Sequence, residues 1–201
     1  MAERIAAAEG ADLEIVRAAA LLHDIEGSHH AEPAGSRHPG EDESLHPTGV
    51  SGRLNHHQQS ADIAAEILRE EGWPEERIAA VQHCIRAHRY RDRREPPTTL
   101  EAKVLFDADK LDVLGAIGVV RVLGYAIQAG QPPYAEPSQH FLETGEEDPG
   151  EPHSAYHEHL FKLRKVKDRL FTDTARAIAA GRHDFLEAYF AKLSSEFHGE
   201  S

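Results

Sequence analysis

Apolar residues in this chain recur at three- and four-residue intervals, and no segment shows the strict alternation of a half-buried strand. Ile5 to Glu9 reads as a short helix that Gly10 ends, and Asp12 is placed to cap a second helix running through Asp24. Helical period returns over Asn55 to Glu71, where Ala61, Ala64, Ala65 and Leu68 share a face. Pro74 fits the first turn of a helix reaching about His88. Thr98-x-x-Glu101 has the form of a capping box, opening a helix that carries Val104, Leu105, Leu111, Leu114 and Ile117. From His153 the chain is helical again with an apolar stripe of Leu160, Leu163, Val166, Leu170 and Phe171; Gly181 punctuates it before a last helix ending near Phe197. Two polar segments interrupt the pattern. Residues 26–54 are rich in Gly, Pro, Ser, His and acids, and residues 130–152 in Pro and Gly; both read as long loops. The predicted class is all-α, a compact helical bundle with two loop insertions and C-terminal helices over about 153–198.

Length and charge narrow the picture. A chain of 201 residues is long enough for a real core and is read as a single domain over 1–201. With 22 basic and 35 acidic residues the net charge is −13, which argues against extended DNA or RNA binding, since that draws on neutralising phosphates with Lys and Arg. A small anionic substrate stays compatible if a metal supplies positive charge locally. The single cysteine, Cys84, excludes an internal disulfide and a cysteine-based zinc cluster. The first residues do not resemble a signal peptide, and no apolar run approaches the roughly 18 residues of a membrane span, so a soluble cytoplasmic protein without membrane partners is expected. The compositional anomaly is 15 histidines.

Chemistry enters at Ala18 to Ile25, a greasy helical run ending in His23 and Asp24. Burying a carboxylate without a partner is costly, and a metal cation is the partner that also suits an imidazole. The competing reading is a satisfied core histidine beside a carboxylate that caps the helix end. Leu105-Phe-Asp-Ala-Asp-Lys-Leu-Asp112 places more carboxylates in an apolar helix. Asp107 and Asp109 stand about 200° apart around a helix, whereas Asp109 and Asp112 share a face. Spacing alone does not choose between Asp107 and Asp109 as a ligand. Among the other histidines, His153 and His157, at helical i,i+4 spacing on a polar helix start, read as solvated.

His23-Asp24 followed at a distance by Ala108-Asp109-Lys110-Leu111 resembles the HD-domain superfamily of metal-dependent phosphohydrolases, in its small single-domain bacterial branch. The similarity extends to Asn55 to Ala61, Ala80 to His88, Ala108 to Gly118 and Phe171 to Phe197. The resemblance implies His23, Asp24 and Asp109 as metal ligands, with Asp24 and Asp109 central to catalysis. By the same likeness, His57 and His88 would hold a second metal or the substrate, with His56 and His83 as weaker candidates. Lys110, Arg89 and Lys162 are the candidate phosphate contacts; Arg91 to Arg94 read as a solvated charge run. A mixed set of His and carboxylate ligands with open positions suits Mn²⁺ or Mg²⁺ first, with Fe²⁺, Ni²⁺ or Zn²⁺ as further options. The implied reaction is hydrolysis of a nucleotide, as a pyrophosphohydrolase or a phosphatase, by a metal-activated water. A homodimer is compatible with this reading.

One departure stands out. The superfamily's first histidine ligand falls upstream of Met1 when Ile5 to Gly10 is laid on the preceding helix. Three readings are open: Met1 is internal to a longer first helix, the site is natively three-ligand, or a histidine of the 26–54 segment (His29, His30, His38 or His46) substitutes. The first is preferred because the helix begins in mid-pattern, and poor metal binding is the corresponding expectation. The alternative to an enzyme is a histidine-rich protein that buffers or senses a divalent ion. A helical interaction domain with a decayed site is a further rival.

Overall fold

The computed structural model describes residues 1–25, 56–89 and 94–200. Every regular element among them is helical, as the periodicity predicts. In chain order they are α1 (Ala2–Glu9), α2 (Leu13–Leu22), α3 (His56–Glu70), α4 (Glu75–Ala87), α5 (Leu100–Leu111), α6 (Gly115–Gln128), α7 (Gln139–Thr144), α8 (Ala155–Phe161) and α9 (Asp173–Phe197). Short 3₁₀ turns at Leu163–Lys165 and Lys167–Arg169 lie between α8 and α9. The 26–54 segment, with His29, His30, His38 and His46, lies outside the described residues, as do residues 90–93 of the arginine run. No single helix among the described residues is long and apolar enough to cross a membrane.

The described residues divide into two compact units, the first comprising residues 1–25, 56–89, 94–111 and Leu170–Arg176. In this unit Ala61, Ala64, Ala65 and Leu68 of α3 form one buried stripe, and Ile78, Val81, Cys84 and Ile85 of α4 belong to the same core. Small side chains on α3 let the helices approach closely, and Ile15 and Ala19 of α2 with Ala102 and Leu105 of α5 complete the cluster. Burial pushes the Cys84 thiol up to about 12, so it is packing material rather than a nucleophile.

The helix ends follow the predicted chemistry in part. Gly10 closes α1 at φ 79°, a left-handed conformation that costs glycine nothing. Asp12 caps α2, accepting from the amides of Glu14 (3.0 Å) and Ile15 (3.2 Å), and Arg77 pairs with the same carboxylate at 3.1 Å. Pro74 stands one residue outside α4, as its N-cap rather than in its first turn. The Thr98–Glu101 box does not form. Thr99 Oγ1 accepts from Ala102 N (3.2 Å), Glu101 reaches across to the amide of Asp12 (3.0 Å), and Thr98 turns to His83.

Asp107 has a structural task in this unit. Fully buried in α5, it accepts from Phe171 N (2.9 Å), Thr172 N (2.7 Å) and Thr172 Oγ1 (2.7 Å). Thr172 Oγ1 in turn accepts from Ala175 N, so Asp107 anchors the start of α9.

The second unit comprises Asp112–Arg169 and residues 177–200. Its core includes Leu114, Val122, Phe141, Leu163, Leu186 and Phe190. The expected helix through Leu111, Leu114 and Ile117 is two helices, because the chain breaks after Leu111 and restarts at Gly115; Ile117 is left exposed. Gly118 makes the restart possible, since a Cβ there would stand 2.2 Å from the carbonyl oxygen of Val113. The 130–152 stretch contains α7, capped by Ser138 Oγ on Phe141 N (3.0 Å). The stripe from Leu160 to Phe171 is not one helix either. The 3₁₀ turns repeat every three residues, which keeps Leu163 and Val166 buried on one side while Phe171 stays exposed. Gly181 does not interrupt α9, which runs unbroken from Asp173 to Phe197.

Candidate metal centre

His23 follows the last turn of α2 and His88 the last turn of α4, each as the C-cap residue. The two rings are fixed in the same way. His23 Nδ1 donates to the carbonyl of Ala20 (2.9 Å), and His88 Nδ1 to that of Ile85 (2.5 Å). Each ring is thereby held in the tautomer whose Nε2 carries the lone pair, and the acceptor carbonyl raises its basicity as a ligand. Both Nε2 atoms face Asp24: His23 Nε2 lies 3.4 Å from Oδ2, and His88 Nε2 lies 3.8 Å from Oδ1. The rings meet edge to face at 5.1 Å.

His23, Asp24 and His88 each offer one ligand atom, and these atoms lie within 4.8 Å of one another. Two borderline nitrogens and one hard oxygen, with the backbone already occupying both Nδ1 atoms, form a His/Asp cluster able to coordinate a divalent metal ion. Burial drives the His88 imidazole down to about 4, against the pull of Asp109, so the ring is neutral at pH 7 as a ligand must be. Asp24 remains 64% exposed, which leaves the cluster open on its side.

Asp109 stands beside this group but outside it. Burial pushes its carboxyl up, yet Lys110 first, then His88 and His23, outweigh that and hold it at about 2, so the group is ionised. Lys110 Nζ contacts Asp109 Oδ2 directly. The two carboxylates that helical spacing left undecided are thus separated by neighbourhood: Asp107 binds backbone, and Asp109 faces the histidines.

The remaining candidates are distributed as follows. His56, at the start of α3, brings Nε2 to 3.9 Å from Asp24 Oδ1, closer than the sequence ranking suggested. His57 is buried next to it, with ring centres 5.6 Å apart. His83 is taken up by Glu95 (2.8 Å). Arg89 follows His88 directly and is partly buried. Lys162 caps α8 in the second unit. His153 and His157 are not solvated. His157 is fully buried between Ser154 Oγ (2.7 Å) and Glu151 Oε1 (3.0 Å), and His153 pairs with Glu147.

The member that sequence reasoning underrated is His88 as part of the inner group. Its one available signal is that, like His23, it follows the last turn of a helix and can fold its ring onto that helix's last carbonyls.

Residues 1–114 match the HD domain family. Over 202 aligned residues the chain is 31% identical to the uncharacterized protein YpgQ of Bacillus subtilis (strain 168), covering 99% of this chain and 80% of that protein. The crystal structure of Bacillus subtilis YpgQ in complex with ADP superimposes with a TM-score of 0.66 at 28% identity, covering 100% of this chain and 85% of the other. An HD-superfamily hydrolase from Bacillus thuringiensis gives a TM-score of 0.65 at 25% identity, covering 98% and 81%. With the His/Asp cluster on two helix ends, these matches establish that the chain belongs to the HD-domain superfamily of metal-dependent phosphohydrolases.

Proposed function

We propose that the protein hydrolyses a nucleotide, as a pyrophosphohydrolase or phosphatase, and that the whole chain works as one catalytic domain. The observation that carries this reading is the convergence of His23 Nε2 and His88 Nε2 on Asp24, with both Nδ1 atoms already committed to backbone. The ADP held by the relative's crystal structure supports the substrate class. His23, Asp24 and Asp109 are the metal ligands in this proposal, Mn²⁺ or Mg²⁺ the favoured ions, and His88 with His57 the groups that hold a second ion or the substrate. A bound divalent ion supplies Lewis acidity, lowering the pKa of water and polarising a phosphoryl oxygen.

The chain's own residues do the rest. Asp24, the most exposed member, orients the attacking water in this proposal. His23 and His88 keep fixed rings and move no proton at Nδ1. Lys110 and Arg89 offset charge on the phosphoryl oxygens.

The test is a panel of nucleoside mono-, di- and triphosphates with added Mn²⁺, read as release of phosphate or pyrophosphate. His23→Ala, Asp24→Asn and Asp109→Asn are each expected to lower turnover by more than the roughly 10- to 100-fold typical of outer-sphere changes. Turnover in Asp109→Asn equal to wild type would remove Asp109 from the proposal.

A further inference from the structure

Asp109 is the odd member of the centre. It faces His23 and His88, yet the ligand atoms that lie mutually close belong to His23, Asp24 and His88. Its direct partner is its neighbour in sequence. Lys110 Nζ sits on Asp109 Oδ2, and the same ammonium lies 5.6 Å from the centre of the Phe106 ring. The two side chains are 15% and 30% exposed, so water competes weakly for the pair. Consecutive residues leave a helix about 100° apart, so this contact exists because the lysine stem bends back towards its neighbour. A lysine ammonium is a compact charge on a flexible stem with three donors, suited to holding a carboxylate in one state and a phosphate in another.

We propose that Lys110 and the divalent ion are alternative partners of Asp109, and that arrival of the ion hands the Lys110 ammonium to a phosphoryl oxygen of the substrate. The proposal rests on the metal-centre reading above and adds an order of events to it. An ion that takes Asp109 displaces the ammonium from that carboxylate, and a phosphoryl oxygen is an acceptor of the same kind for it. Ion and phosphate therefore strengthen each other's binding, and the strengthening is reciprocal. Lys110 is a positioning residue for Asp109 before the exchange and a substrate contact after it.

Two measurements on the full chain test this. Calorimetry compares Mn²⁺ binding to wild type, Lys110→Met and Asp109→Asn; methionine keeps an unbranched apolar chain against Phe106, and Lys110→Gln repeats the comparison if that variant misfolds. Nitrogen-15 lysine spectra of the wild type follow the Lys110 ammonium during Mg²⁺ titration without phosphate, then with pyrophosphate. The expected results are Mn²⁺ binding about fivefold tighter or more in Lys110→Met, and a Lys110 resonance that moves with Mg²⁺ occupancy and again with pyrophosphate. Unchanged or weaker Mn²⁺ binding in Lys110→Met, or a Lys110 signal that stays fixed as Mg²⁺ saturates, overturns the exchange while leaving the metal centre intact. Failure of all three proteins to bind Mn²⁺ overturns the metal centre and the exchange with it.

Discussion

At the residue scale, two aspartates separated by one alanine have opposite tasks. Asp107 satisfies two amides and a hydroxyl at the start of α9, so Asp107→Ala strands buried donors and is expected to destabilise the fold by about 1–3 kcal/mol. Mn²⁺ affinity in the surviving folded fraction should be near wild type. Asp109→Asn should do the reverse, keeping the urea midpoint and losing the ion. His88 makes a prediction about pH. Its folded value is about 4 against an ordinary 6.5, so the unfolded chain binds more protons between those limits. The stability that neutral His88 contributes is present in full above pH 6.5 and is lost as pH falls towards 4. Urea midpoints measured above pH 6.5 and near pH 4 should therefore differ less in His88→Gln than in wild type. His23 and Asp24 drew notice because two adjacent unlike ligand types end an apolar helix, whereas Asp109 stood out from Asp107 only through the family resemblance. His88 was one histidine among 15, and nothing local marks which of them a fold will bring to an aspartate.

At the element scale, the signals that held were those made within one turn. Gly10 and Asp12 close and open helices through their own neighbours, and the structure uses them as the pattern predicts. Signals that depended on distant partners failed. Glu101 has the right spacing for a capping box but finds the amide of Asp12, 89 positions away in sequence. The 130–152 stretch read as a loop because what organises it is Glu151. That carboxylate accepts from Ser138 N (2.6 Å), Asp148 N (2.8 Å) and His157 Nε2 (3.0 Å), tying the entrance of α7 to α8. Glu151→Ala leaves these donors without an acceptor and should cost about 1–3 kcal/mol. Amide hydrogen exchange locates the damage: Ser138 and Asp148 are expected to exchange faster than wild type, with α3 and α4 unchanged. The missed break between α8 and α9 has a simple cause, since apolar spacing of three residues is common to an α-helix and a 3₁₀ turn.

At the scale of the whole molecule, a net charge of −13 means that the centre must bring positive charge to any phosphate it binds. A ligand that binds only the folded state stabilises it by mass action, by about 2.7 kcal/mol at a hundred times its dissociation constant. For a chain of this length that is a rise in melting temperature on the order of 5 to 10 °C. Thermal melts with added Mn²⁺ should show such a rise, EDTA should reverse it, and Asp24→Asn should show none. The all-helical class and the superfamily were open to reading from the sequence, because both rest on periodicity and on residues 1–114. The division into two units was not, since both units use the same helical periods. The anchoring of His23 and His88 carries one last consequence. Each ring hangs from a carbonyl three residues back in its own helix. The centre is therefore a gauge of where α2 and α4 stop: a single residue added before either histidine would swing that ring about 100° around the axis. Helix length, normally among the most forgiving properties of a bundle, is here as tightly constrained as the identity of a ligand.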